Sequence, residues 1–173
     1  MFDIIGEAYV ISKELKDVIM VGAVAVMLQT KRSRTSHDID VALATDISRD
    51  DLIGLGYIPV KDKRDSWDSP RHIKVDIYRK DVSGIPVSEI VKTATILNEN
   101  TNKEVKVACL EVLIIAKYRA FNSSHRPNDR EDIHTIVRKC LKNIDWNRLE
   151  NLCENQLEYS QITKMLANLR KLG

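Results

Sequence analysis

The stretch His37–Leu43 reads HDIDVAL. Asp38 and Asp40 stand two apart in a run that alternates with Ile39, Val41 and Leu43. Alternation with period two is the mark of a β-strand, so the apolar residues face a core and both carboxylates face the other way. Their Cα atoms are then about 6.5–7 Å apart, from a rise of about 3.3 Å per residue. Carboxylates held that close repel each other, and shared divalent cations would relieve the repulsion. By itself the stretch reads as an amphipathic edge strand with a solvated acidic face. The flanking sequence is what argues for a site.

Upstream, Val18–Val21 is a short apolar run that ends at Gly22, as a buried strand would. Ala23–Gln29 follows at once with high helix propensity. A strand that turns into a helix at Gly22 exposes backbone N–H groups, a seat for phosphate. Glycine at such a turn also has a purely steric reading. Between this helix and HDIDVAL lies Thr30–Ser36, a polar loop carrying Lys31, Arg32 and Arg34. Downstream, Arg71–Arg79 reads RHIKVDIYR: Ile73, Val75 and Ile77 alternate with Lys74, Asp76 and Tyr78. That predicts a second amphipathic strand, with a third carboxylate, Asp76, on its polar face.

The rest of the first half supplies the frame. Phe2–Lys16 has helical spacing of its apolar residues. Asp46–Gly56 predicts a helix capped by Ser48, with Asp50 and Asp51 in its first turn and Gly56 as its stop. Tyr57–Val60 predicts a short strand, and Lys61–Pro70 an exposed loop or hairpin tip. Asp81–Val91 predicts a loop entering a short helix near Ser88. Thr95–Leu97 and Glu104–Ala108, either side of the polar Asn98–Lys103, predict a hairpin. Beyond Ala108 helices take over: Leu110–Phe121, Asn128–Leu141, Trp146–Glu154 and Tyr159–Leu172. The expected architecture is α+β, a small mixed sheet flanked by helices in residues 1–108 and a helical part in 109–173. No Pro/Gly linker marks the boundary, so the two parts are expected to pack as one unit.

Two charged residues fall on apolar helix faces. Lys117 lies mid-stripe among Leu110, Leu113, Ile114 and Phe121, and Asp129 lies one turn before Ile133. A buried charge needs a partner, so these two are expected to pair across a cleft. A snorkelling lysine and an aspartate that serves the helix dipole remain the alternatives.

Composition bounds the classes. With 43% hydrophobic and 30% charged residues over 173 positions, the chain can bury a real core. A net charge of +2 neither requires nor excludes nucleic acid. No apolar run is long enough to span a membrane, and the acidic Met1–Glu7 is no signal peptide. Cys109, Cys140 and Cys153 are odd in number and lack zinc-ligand spacing, which points to reduced thiols and a cytoplasmic setting.

The run VGAVAVMLQTKRSRTSHDIDVAL, followed by KVDIY, resembles the nucleotidyltransferase superfamily of the DNA polymerase beta type. That pattern is an apolar strand, a glycine turn, a helix, an acidic-x-acidic strand and a third acid on a later strand. The segment LEVLIIAKYRAFNSSHRPNDREDIHTI is similar to the helical part of the branch typified by the AbiEii toxin, with Lys117, Arg126, Asp129 and Asp132 at the matching positions. The resemblance implies a nucleotidyltransferase fold and a Mg²⁺- (or Mn²⁺-) dependent transfer of an NMP group from an NTP to a hydroxyl or phosphate acceptor, RNA or protein. It implies that Asp38, Asp40 and Asp76 are catalytic and hold metal. Gly22, Ala23, Arg34, Ser36, Lys117 and Asp129 would bind the nucleotide. One departure stands out: most active members have Gly or Ser where this chain has Ala23, which offers phosphate a backbone donor but no hydroxyl. A non-catalytic nucleotide- or RNA-binding member, or a toxin–antitoxin type partner protein, is the alternative the resemblance leaves.

Overall fold

The computed structural model describes residues 3–32, 34–100 and 103–171. Of the stretches read above, Met1, Phe2, Ser33, Thr101, Asn102 and Leu172 lie outside the described residues. Helix α1 (Ile4–Leu15) starts at Asp3, whose carboxylate accepts from Gly6 N–H at 2.9 Å. Strand β1 (Val18–Val21) follows, then α2 (Gly22–Thr30), β2 (Asp38–Leu43) and α3 (Arg49–Gly54). As expected, Ser48 caps α3, in a reciprocal capping box with Asp51.

Strands β3 (Ile58–Pro59) and β4 (Ser66–Asp68) form a hairpin whose tip is the charged segment 60–65. The expected hairpin tip is therefore found at 60–65, and the expected exposure fails only at Ser66–Asp68, where Trp67 is 3% exposed. Three residues carry no readable period, and the Arg49 guanidinium, from another element, lies 5.7 Å from the Trp67 ring centre. Strand β5 (Lys74–Tyr78) starts three residues later than the alternation suggested, after a turn in which His72 N–H bonds Ser69 O. The segment 81–91, read as a loop entering a short helix near Ser88, contains a separate two-strand ribbon, β6 (Asp81–Val82) and β7 (Ile85–Pro86), and then the expected helix, α4 (Val87–Thr93). Strands β8 (Thr95–Asn100) and β9 (Lys103–Val107) are the expected hairpin.

Seven strands make one mixed sheet in the order β3-β4-β5-β2-β1-β9-β8. The β2–β5 and β1–β9 pairs are parallel and the others antiparallel. All four residues of β1 are buried, as a central strand covered on both faces requires. Helix α2 is apolar nearly all round and buries Ala23–Met27, the pattern of a helix enclosed by protein. It touches α1, β1, β2, β9, α5 (Leu110–Ser124) and α6 (Pro127–Cys140). Helix α5 runs three residues past the expected Phe121, ending where His125 adopts a left-handed conformation. Helices α7 (Trp146–Leu152) and α8 (Gln156–Lys171) complete the chain, α8 packing on α6. Among the described residues no helix is long and apolar enough to cross a membrane. Cys109, Cys140 and Cys153 are free thiols.

Candidate functional site

The β2–β5 pairing builds one wall. In its parallel register Asp40 stands opposite Asp76 and Asp38 opposite Lys74. Directly opposed residues of neighbouring strands share a face, so Asp38, Asp40 and Asp76 lie on one side of the sheet with Lys74 and Tyr78. Ser66, opposite Asp76 on β4, donates a short hydrogen bond to its carboxylate. Ser36 Oγ reaches Asp38 Oδ1 at 3.4 Å, which brings that loop residue to the acids as expected.

Gly22 meets Asp40 at closer quarters than the sequence suggested. Its φ is +64°, and a Cβ built on it would lie 2.1 Å from Asp40 Oδ2. Only glycine satisfies both the left-handed backbone and that approach. The residue thus clears room for the central carboxylate in addition to starting α2. Asp40 is held up to a pKa of about 6, first by burial and then by repulsion from Asp38 and Asp76; Lys117 and the Tyr78 hydroxyl, which donates at 3.3 Å, oppose the rise.

The opposite wall comes from α5 and α6. Lys117 Nζ lies 3.0 Å from Asp129 and 2.9 Å from Asp132, both of which are 3% exposed at the side chain. Lys117 therefore neither snorkels nor stands alone, and Asp129 serves more than the helix dipole. Arg126 adds a contact to Asp129 at 3.0 Å and Arg34 one to Asp132 at 2.9 Å. Arg34, expected to bind the nucleotide, is thus drawn to the helical wall. Three cations against two carboxylates leave this wall net positive, facing the acidic one. Between them lies a cavity of about 90 Å³, lined by Gly22, Asp40, Tyr78, Ser83, Lys117 and Asp129 among others. Pockets for drug-sized ligands run to about 300–1,000 Å³, so this space between the walls is on the scale of a phosphate group.

The three acids share a face but are not gathered on one point. Among the described residues no three Asp, Glu, His or Cys side chains are arranged to hold a metal ion. The physical reason is Lys74: its ammonium contacts Asp76 directly and lies 3.9 Å from Asp38, so it takes the place of a cation between them. The donor chemistry still fits a hard divalent ion, since all three groups are carboxylates and Asp40 keeps a charge that repels its neighbours. Lys74, Tyr78 and Ser66 were missed as site residues. The first two were visible as polar alternates of Asp76; Ser66 carried no signal.

The fold is similar to that of a nucleotidyltransferase. Over 97% of this chain and 92% of the other, it matches the crystal structure of a "putative nucleotidyltransferase from H. pylori", with a TM-score of 0.56 and 12% sequence identity. No protein-family model matches the sequence, and no curated protein does.

Proposed function

We propose that this chain is a nucleotidyltransferase that moves an NMP group from an NTP to a hydroxyl or phosphate acceptor. The observation that carries the reading is the facing of Asp40 and Asp76, opposed in register beside the Gly22 turn, against Lys117 across the cleft. Asp38, Asp40 and Asp76 would hold Mg²⁺ or Mn²⁺. That ion would supply charge stabilisation for the attacking and leaving oxygens. The acceptor oxygen forms a bond to the α-phosphorus, the bond to pyrophosphate breaks, and the acceptor proton passes to Asp76, which Ser66 orients. The backbone N–H groups of Gly22 and Ala23 seat phosphate at the start of α2. Lys117, fixed by Asp129 and Asp132, presents its charge to the triphosphate. Lys117, Arg126, Asp129 and Asp132 together support the AbiEii-type branch, and with it a toxin–antitoxin setting.

A second reading, nucleotide or RNA binding without turnover, is favoured by Ala23, which lacks the hydroxyl, and by Lys74 among the acids. The test is incubation with each α-labelled NTP, Mg²⁺ and either bulk tRNA or cell extract. The transferase reading expects Mg²⁺-dependent label on RNA or protein, lost in Asp40→Asn. Binding of NTP with no transfer to any acceptor would favour the second reading.

A further inference from the structure

We propose that Lys74 is a tethered cation that holds the Asp38–Asp76 position in the resting protein and is displaced when a divalent ion enters. The inference rests on the divalent-ion reading of this sheet face given above. Lys74 stands opposite Asp38 and two residues before Asp76, so strand geometry aims its stem along the same face as both acids. Its ammonium is ion-paired with both. Lys74 is 31% exposed and Asp38 44% exposed, which leaves the pair reachable from solvent. A four-carbon stem lets the ammonium swing aside without backbone movement. A divalent ion brings twice the charge to the same oxygens and replaces it there. The freed ammonium stays within reach of the polyphosphate that accompanies the ion. Lys74 thus sets how much divalent ion the site demands before it fills, and withholds the acids until it does.

The probe is Mn²⁺ alone, titrated into the full chain by calorimetry with no nucleotide present. Two partly exposed ion pairs lost to the entering ion correspond to about a tenfold weakening, so Lys74→Met is expected to bind Mn²⁺ about tenfold more tightly than the wild type. Lys74→Arg, which keeps the charge, is expected to stay near wild type. Equal or weaker binding by Lys74→Met, or no binding by either protein, overturns the proposal. A wild-type measurement guards against a variant that fails to fold. Acylation of Lys74 by a water-soluble ester, read by mass spectrometry, is expected to be slow in EDTA and faster in Mg²⁺; an unchanged or slower rate overturns the proposal. Label transfer from NTP is read separately. Tighter Mn²⁺ binding without transfer retires the transferase reading and leaves the role of Lys74 standing, and transfer with unchanged Mn²⁺ affinity does the reverse.

Discussion

Asp40 carries a charge that its surroundings oppose. Its pKa of about 6 in the folded protein exceeds the unfolded value of about 3.9. Between those values the folded state binds more protons than the unfolded one, so this group's contribution to stability declines as pH rises from about 4 through 6. Above pH 6 the ionised carboxylate costs on the order of 1–3 kcal/mol. Asp40→Asn is therefore expected to melt several degrees higher than wild type at pH 7.5 in EDTA, with the gap shrinking towards pH 4.5. An equal gap at both pH values would mean the effect is not electrostatic. Gly22 gives the steric counterpart. Gly22→Ala meets both the φ penalty and Asp40 Oδ2, and is expected to cost about 2–3 kcal/mol in urea unfolding. In an Asp40→Ala background the carboxylate clash is gone, while the backbone part and the 3.0 Å approach of the Asp40 Cβ remain, so the cost is expected to fall to about 1–2 kcal/mol. If the cost is the same in both backgrounds, the close approach is not what demands glycine.

Within elements, the polar faces of β2 and β5 were legible because period two holds over Asp38–Val41 in β2 and over all of β5. Which residue of one strand opposes which of the other was not. That depends on the long connection between them, and a one-residue slip would set an apolar side chain of β5 against Asp40. The β4 strand and the inward turn of Arg34 were illegible for a similar reason: each is decided by a partner from elsewhere in the chain. Lys117 on α5 was legible as a misfit in an apolar stripe; Asp132 was named through the resemblance, but its pairing with Lys117 emerged only from the α5–α6 packing. Two partners alter the expected energetics. Asp129→Asn leaves Lys117 paired with Asp132 and is expected to cost about 1–2 kcal/mol. The Asp129→Asn/Asp132→Asn double variant strands a lysine that is 12% exposed and is expected to cost about 3–5 kcal/mol or more. Chemical denaturation of the three proteins would reveal this; a single variant as damaging as the double would mean that Asp132 gives Lys117 no support.

Across the whole molecule, α2 lies against both the sheet and the C-terminal helices. Arg119 adds a tie at the rim of the cleft, bonding Ser83 O at 2.7 Å and both carboxylate oxygens of Glu158 on α8. The hydrogen bond from Arg119 holds the Glu158 carboxyl below its ordinary range; burial opposes it and the Glu154 N–H assists. Because that folded value is depressed, the stabilisation is present above about pH 4.5 and is lost as pH falls through the lowered value. Melting curves of wild type and Glu158→Gln are expected to differ at pH 7 and to converge in acid; curves that stay apart below pH 4 would point to packing in place of charge. The parallel pairing of β1 with β9 has a consequence for the chain as it is made. One backbone edge of the apolar strand β1 waits for a partner until Val107 has left the ribosome, 86 residues after Val21. At translation rates of roughly 5–20 residues per second, the segment VIMV spends about 4–17 s with that edge uncovered. Nascent chains are therefore expected to be most prone to sticking, and most in need of a chaperone, during this interval.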